Sequence, residues 1–173
     1  RVSLHVYVNH WPSKYGGIKK TIPLRAAAAS TLRSHVSAIL ADDPAAEIVV
    51  MGDLNDEPDE ASVAEHLGAM LDLELVGKDG HILWNVMEPW HKNPQGSTYM
   101  YAGKHMVYDH LIVSPGLTDE QGLRLVENSV GVFDGDKYRQ HDGKYDGYPF
   151  RFWAGNRLLG GYSDHMPVYL SIE

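Results

Sequence analysis

The chain has 173 residues, of which 43% are hydrophobic and 22% charged, the make-up of a globular protein of one domain. It has no cysteine, which excludes disulfides and thiolate metal sites. No apolar run approaches the roughly 20 residues that span a bilayer, which argues against stable membrane insertion. The net charge of −8 argues against wrapping nucleic acid over a broad basic surface. The chain opens inside a strand-like segment with no initiator Met and no export signal, so a soluble chain fits the cytoplasm or export equally.

Arg1 to Asn9 alternates Val2, Leu4, Val6 and Val8 with Ser3, His5 and Tyr7, which predicts a strand. His10-Trp11-Pro12-Ser13 ends it, and Lys14 to Lys20 reads as a glycine-containing loop. Pro23 to Asp42 carries Leu24, Ala28, Leu32, Val36, Ile39 and Leu40 at helical spacing; Pro23 suits a first turn, and Asp42-Asp43-Pro44 is a stop. Glu47 to Met51 reads as a second strand. Pro58 to Leu71 reads as a second helix with Gly68 as its weak point. Gly77 to Gly96 is aromatic and loop-like. Ser97 to Tyr101 and Val107 to Val113 read as strands about a turn at Gly103, Leu123 to Phe133 as another, and Met166 to Ile172 as the last. Asp134 to Gly161 is rich in Gly, Tyr and Asp; a structureless loop of that length is functional or disordered. The strand–helix–strand–helix opening and strand-rich remainder predict a mixed α/β sandwich.

Four polar clusters stand at the ends of apolar runs: Asn9-His10, Asp53-Leu54-Asn55, Tyr108-Asp109-His110 and Ser163-Asp164-His165. Strand geometry puts Asp53 and Asn55, two residues apart, on one side. The recurrence predicts one site assembled from the rims of several strands. Each cluster alone has an ordinary reading. Asp53-Leu54-Asn55 suits a strand-end Asx turn, Asp164-His165 a turn before Pro167, Asp109 a surface acid, and His10 a satisfied strand-end imidazole.

Four motifs, in this order, resemble the endonuclease/exonuclease/phosphatase superfamily. They are Val8-Asn9-His10-Trp11-Pro12-Ser13; Val50-Met51-Gly52-Asp53-Leu54-Asn55-Asp56-Glu57-Pro58; Tyr108-Asp109-His110-Leu111-Ile112-Val113-Ser114; and Gly161-Tyr162-Ser163-Asp164-His165-Met166-Pro167-Val168. The resemblance runs from near residue 1 to the C-terminus. It implies a four-layered α/β sandwich, two packed mixed β-sheets flanked by helices. It also implies that residues 1–173 form a single domain lacking its N-terminal part, where the family carries an Asn and a metal-binding Glu. The chain then corresponds to the C-terminal half to two-thirds of a family domain.

The chemistry implied by the resemblance is divalent-metal-dependent phosphodiester hydrolysis, with Mg²⁺ or Mn²⁺ held by hard oxygen donors. Asp53 orients and deprotonates the attacking water, and Asn55 holds the water or a phosphate oxygen. Asp164, with Asp53 and Asn55, ligates the metal. His165 contacts the scissile phosphate, Asp109 holds its ring and favours the imidazolium, and His10 is a second phosphate-facing imidazole. His110 reads as structural, and Trp11 and Tyr162 as packing residues. Lys14, Lys19, Lys20 and Arg25 read as phosphate contacts or, more usually, as a solvated face. The segment from Tyr138 to Arg157 reads as a substrate-facing lip mixing stacking and charge or as a mobile surface loop. Three functions stay open. A nuclease acting on DNA or RNA comes first, and the acidic net charge does not exclude it, because a bound cation offsets carboxylates locally. A phosphatase or phosphodiesterase of inositol phosphates or lipid phosphoesters comes second, weakened by the lack of a polybasic amphipathic helix or lipid anchor. A catalytically incomplete binding module comes third. The oligomeric state is open.

Overall fold

The computed structural model describes residues 3–76 and 81–173. In chain order the strands are β1 (Leu4–His10), β2 (Glu47–Asp53), β3 (Ala69–Met70), β4 (Leu83–Asn85), β5 (Tyr99–Tyr101), β6 (Lys104–Met106), β7 (Asp109–Val113), β8 (Gly131–Val132), β9 (Trp153–Ala154), β10 (Arg157–Leu158) and β11 (Val168–Tyr169). The α-helices are α1 (Ile18–Asp42), α2 (Leu73–Val76) and α3 (Glu88–Lys92). The main sheet has five strands in the order β1-β2-β7-β4-β3. β1 runs parallel to β2, and β7 runs antiparallel to both β2 and β4. Two parallel strands need a crossover, and α1 supplies it.

Successive residues of β2 point to opposite faces, and both faces are covered. Ile48 and Val50 pack with Ala29, Leu32, Val36 and Leu40 of α1. Val49 joins Leu111, Val113, Met87 and Leu117 on the other face, against Val132, Val168, Leu170 and Ile172 around the β8–β11 pair. Burial on both sides is why Ile48-Val49-Val50-Met51 has no polar break. The result is the expected α/β sandwich: helix, five-stranded mixed sheet and a smaller sheet. β5–β6 and β9–β10 add short antiparallel hairpins.

Several elements differ from expectation. The first strand begins at Leu4; Arg1 and Val2 lie outside the described residues. α1 starts at Ile18, five residues before Pro23. Its ladder begins at Gly17, whose φ of 121° turns the chain so that Thr21 N–H reaches the Gly17 carbonyl. Pro23 lies on the exposed side of the helix, the side on which a carbonyl left without a donor is best tolerated. The buried stripe is Thr21, Arg25, Ala29, Leu32, Val36 and Leu40, so Arg25 goes inside while Leu24 is exposed. The helix expected from Pro58 to Leu71 reduces to one π-helical segment, Ser62–Leu67, ended by Gly68 at φ 72°. The chain then pairs as β3. The aromatic loop expected from Gly77 holds an internal sheet strand, β4, and the short α3; residues 77–80 lie outside the described residues. The strand expected over Leu123 to Phe133 contracts to β8. The stretch from Asp134 to Gly161 is closely bonded: Gln140 N–H donates to Tyr148 O at 2.7 Å, and Phe150 N–H donates to Tyr138 O at 2.7 Å.

Candidate functional site

Strand register builds the site. His10 stands opposite Asp53 across β1–β2, and Asp53 stands opposite Asp109 across β2–β7. One row at the end of the sheet therefore carries an imidazole and two carboxylates. Gly52, opposite Asn9, lets the strands close to this distance. Its φ is 120°, and a Cβ there would collide with the Asn9 carbonyl, so only glycine fits.

Beyond Asp53 the chain turns. Leu54 is fully buried and donates its N–H to Tyr108 O at 2.8 Å. Asn55 has φ 55°, and its N–H bonds Asp53 Oδ1 at 2.9 Å. Its side-chain amide donates to Asp53 Oδ2 at 3.1 Å and to Trp11 O at 3.0 Å. The two side chains meet through this left-handed Asx turn, not through strand periodicity. The ordinary turn reading and the juxtaposition of Asp53 with Asn55 are the same structure.

His165 comes from the C-terminal segment. Its Nδ1 lies 2.6 Å from Asp109 Oδ2, which places the proton on Nδ1 and turns Nε2 to the row. That Nε2 is 3.8 Å from Asp53 Oδ2, and His10 Nε2 is 3.5 Å from the same oxygen. The ring of Tyr99 stacks on His165 at 4.6 Å. Backbone bonds fix the approach: Met166 N–H donates to Thr98 O at 2.8 Å. The Thr98 hydroxyl oxygen accepts from the N–H groups of Tyr108 and Asp109. Burial alone disfavours charge on His165, but the Asp109 hydrogen bond and the charges of Asp109, Asp53 and Asp164 outweigh it, and its pKa is raised. Burial, with a contribution from Asp109, raises that of Asp53 against the opposing charge of His165. The site thus pairs a more basic carboxylate with an imidazole that is easier to protonate.

Asp164 turns outward. Its half-exposed carboxylate faces Arg151 at 4.0 Å. Among the described residues no three acidic or imidazole side chains gather as a metal cage. Asp53 and Asn55 are bonded to each other, and with Asp164 they make up the set implied for the metal. Their oxygens suit a hard cation in kind, but these residues alone do not complete its shell. His110 is wholly internal. Asn85 Nδ2 donates to its Nδ1 and its Nε2–H donates to Asp56 O, both at 2.9 Å; burial pushes its pKa down to about 4.

The basic cluster divides. Lys19 and Lys20 are exposed. Arg25 is fully buried, donates to Pro12 O at 3.2 Å and to the Thr21 hydroxyl at 2.9 Å. Its Nε sits 2.6 Å from Asp56 Oδ2, an ion pair whose angle falls short of a hydrogen bond. Lys14 reaches Asp56 at 3.0 Å and Glu60 at 2.6 Å. Arg25 thereby clasps the loop after His10 to the loop after Asp53. Sequence reasoning missed this clasp, although Arg25 lies four residues from both Thr21 and Ala29, on the stripe that turns inward. It also missed Tyr99 and Thr98, which carry no signal beyond lying in a strand. Trp11 is buried in the core, its indole N–H on Asn9 Oδ1 at 3.2 Å. Tyr162 is exposed and meets Tyr138 edge-on.

The whole chain, residues 1–173, matches the model of the Endonuclease/Exonuclease/phosphatase family. Curated protein sequences returned no match. Among solved structures, truncated TDP2 of Caenorhabditis elegans superposes with a TM-score of 0.51 at 16% identity, over 96% of this chain and 53% of that one. The human Nocturnin catalytic domain with bound sulfate anion gives 0.47 at 14%, over 96% and 45%. SmcL gives 0.40 at 14%, over 97% and 50%. At such identity the first likeness bears on the fold alone, and the chain spans about half the length of each of these structures. The family model covers the strand ends that deliver His10, Asp53, Asp109 and His165, and the chain belongs to the Endonuclease/Exonuclease/phosphatase family.

Proposed function

We propose that the protein is a phosphodiester hydrolase acting on nucleic acid, with the row at the end of the main sheet as its reaction centre. The observation that carries this reading is one carboxylate oxygen, Asp53 Oδ2, within 3.5 Å of His10 and 3.8 Å of His165, the latter ring clamped by Asp109 at 2.6 Å. Asp53, made more basic by burial, takes the proton of a water attacking phosphorus. The His165 Nε2–H, its ring held by Asp109, stabilises charge on the phosphate oxygens and donates a proton to the departing oxygen. Asn55 fixes the Asp53 carboxylate through two hydrogen bonds. His10, exposed at the rim, meets the phosphate from the other side. A divalent cation such as Mg²⁺ or Mn²⁺, when bound, adds neutralisation of phosphate charge. Mg²⁺ is commonly held by one or two carboxylates together with substrate phosphates, and Asp164 is the carboxylate not already engaged with Asn55.

The test is a substrate panel: plasmid DNA, single-stranded DNA, RNA, inositol phosphates and sphingomyelin, each assayed with Mg²⁺ or Mn²⁺. Cleavage of a nucleic acid, lost in Asp53→Asn, is expected. Turnover confined to inositol phosphates or sphingomyelin replaces the nuclease reading with the small-phosphoester one. Binding of nucleic acid without any turnover marks a binding module.

A further inference from the structure

A cavity of about 810 Å³ opens beside the reaction centre, within the usual size of a ligand site. It lies between the β5–β6 hairpin and the segment from Gln140 to Leu159. Its chemistry is carried by Tyr101, Gln140, Lys144, Tyr145, Tyr148 and Arg151. Among the described residues no acidic side chain lines it, although the chain as a whole carries a net charge of −8.

We infer that this cavity is a subsite for a nucleobase flanking the scissile phosphate of a single-stranded nucleic acid. The inference rests on the hydrolase reading for the position of that phosphate, and on the cavity itself for the base. Two observations join the cavity to the centre. β5 is a shared wall: Tyr99 stacks on His165, while Met100 and Tyr101 line the cavity. Arg151, also in the lining, reaches the Asp164 carboxylate at 4.0 Å, one residue from His165. A strand whose phosphate lies at His165 thus has its next nucleotide over the cavity.

The lining selects the ligand class. Three tyrosine rings line it, Lys144 Nζ lying over one face of Tyr145 at 5.4 Å, and base–ring stacking tolerates any base. Lys144 and Arg151 supply charge for the backbone, and the Gln140 amide both donates and accepts toward a base edge. An inositol polyphosphate wants several cations and no rings; here rings outnumber cations. A lipid tail wants an uninterrupted apolar wall; here Gln140, Lys144 and Arg151 break up a lining that is otherwise mostly apolar, with Met100, Ala154 and Leu159 beside the rings. The wall is held in place: Tyr148 Oη accepts the Gly103 N–H at 2.5 Å, the Tyr145 and Tyr148 rings meet edge-on at 5.4 Å, and Arg139 bonds Gly147 O and Met100 Sδ.

The experiment measures binding by the full chain in EDTA, where turnover plays no part. The probes are fluorescein-labelled hexathymidylate and the same backbone with tetrahydrofuran abasic units, with inositol hexakisphosphate as competitor. Wild type is expected to bind the base-bearing strand at least about 10-fold more tightly, the scale of one stacked base. Tyr101→Ala/Tyr145→Ala is expected to bring the two affinities together, and Tyr101→Phe/Tyr145→Phe to keep them apart. Both tyrosines are exposed (64% and 46%), so the fold survives, and circular dichroism checks this. Equal binding of both strands by wild type overturns the inference, as does a preference that survives the double alanine change or displacement of the oligonucleotide by stoichiometric inositol hexakisphosphate. Base-dependent binding with no turnover of any phosphoester leaves the subsite standing and removes the hydrolase reading instead.

Discussion

Asp53 and His165 stand in a relation that a stability role alone does not require. Burial raises the pKa of the acid, and a clamped carboxylate outweighs burial to raise that of the imidazole, the division of labour expected of a base and an acid. Asp53→Asn and His165→Gln keep shape and lose proton transfer, so each is expected to lower the hydrolysis rate by at least about 100-fold with an unchanged circular dichroism spectrum. A variant within a few-fold of wild type takes that residue out of the chemistry. His110, next to Asp109 in the chain, has the opposite fate. Its ordinary pKa of 6.5 falls to about 4 in the folded protein. Between those values the unfolded chain binds a proton that the folded one refuses, so the His110 contribution is complete above pH 6.5 and is lost as pH falls toward 4. The difference is on the order of 3 kcal/mol. Urea unfolding at pH 7 and pH 4.5 reads it, and His110→Gln is expected to flatten the pH dependence. Parallel curves for wild type and variant show that other groups carry the acid sensitivity.

The loops after β1 and β2 are joined by a side chain from the buried stripe of α1. Arg25 on α1 holds Pro12 O and the Asp56 carboxylate, and both side chains are almost completely buried, at 0% and 5% exposed. Removing one partner strands a buried charge, so Asp56→Ala is expected to cost about 3–5 kcal/mol in chemical denaturation. Replacing both, Arg25→Met with Asp56→Leu, removes the stranded charge and is expected to cost far less. A single change costing under about 1 kcal/mol shows that the clasp is solvated. The same helix shows what the sequence reveals and what it hides. The apolar run of β2 and the polar ends of β1, β2 and β7 are legible because buried strands need continuous apolar residues and a rim does not. The register that places His10 opposite Asp53 is not legible, since it depends on Gly52 meeting Asn9 across strands far apart in sequence. β4 hides because three residues are too short for a period. The helix expected from Pro58 fails because Gly68, read as a weak point, adopts the left-handed conformation that ends a helix. Arg25 escapes notice because an arginine on an inward stripe is rare without a buried carboxylate, and Asp56 comes from another element.

A net charge of −8 sets how the whole molecule meets a polyanion. At long range the field repels it, so association gains little from steering. Two of the cations that sequence reading offered as phosphate contacts, Lys14 and Arg25, are neutralised by Asp56 and Glu60. Arg151 is drawn toward Asp164 yet lines the cavity beside the His165 row, as does Lys144. Contact with a single strand then involves about two phosphates, and each contributes roughly −0.7 to the slope of log K against log salt. A slope between about −1 and −2 is expected for oligonucleotide binding between 50 and 200 mM salt, and Lys144→Gln is expected to reduce it by about 0.7. A slope steeper than about −4, or one that Lys144→Gln leaves intact, means that a different basic surface engages the strand. A shallow slope with base-dependent affinity is the signature of an acidic protein that holds nucleic acid by stacking and by a few placed cations.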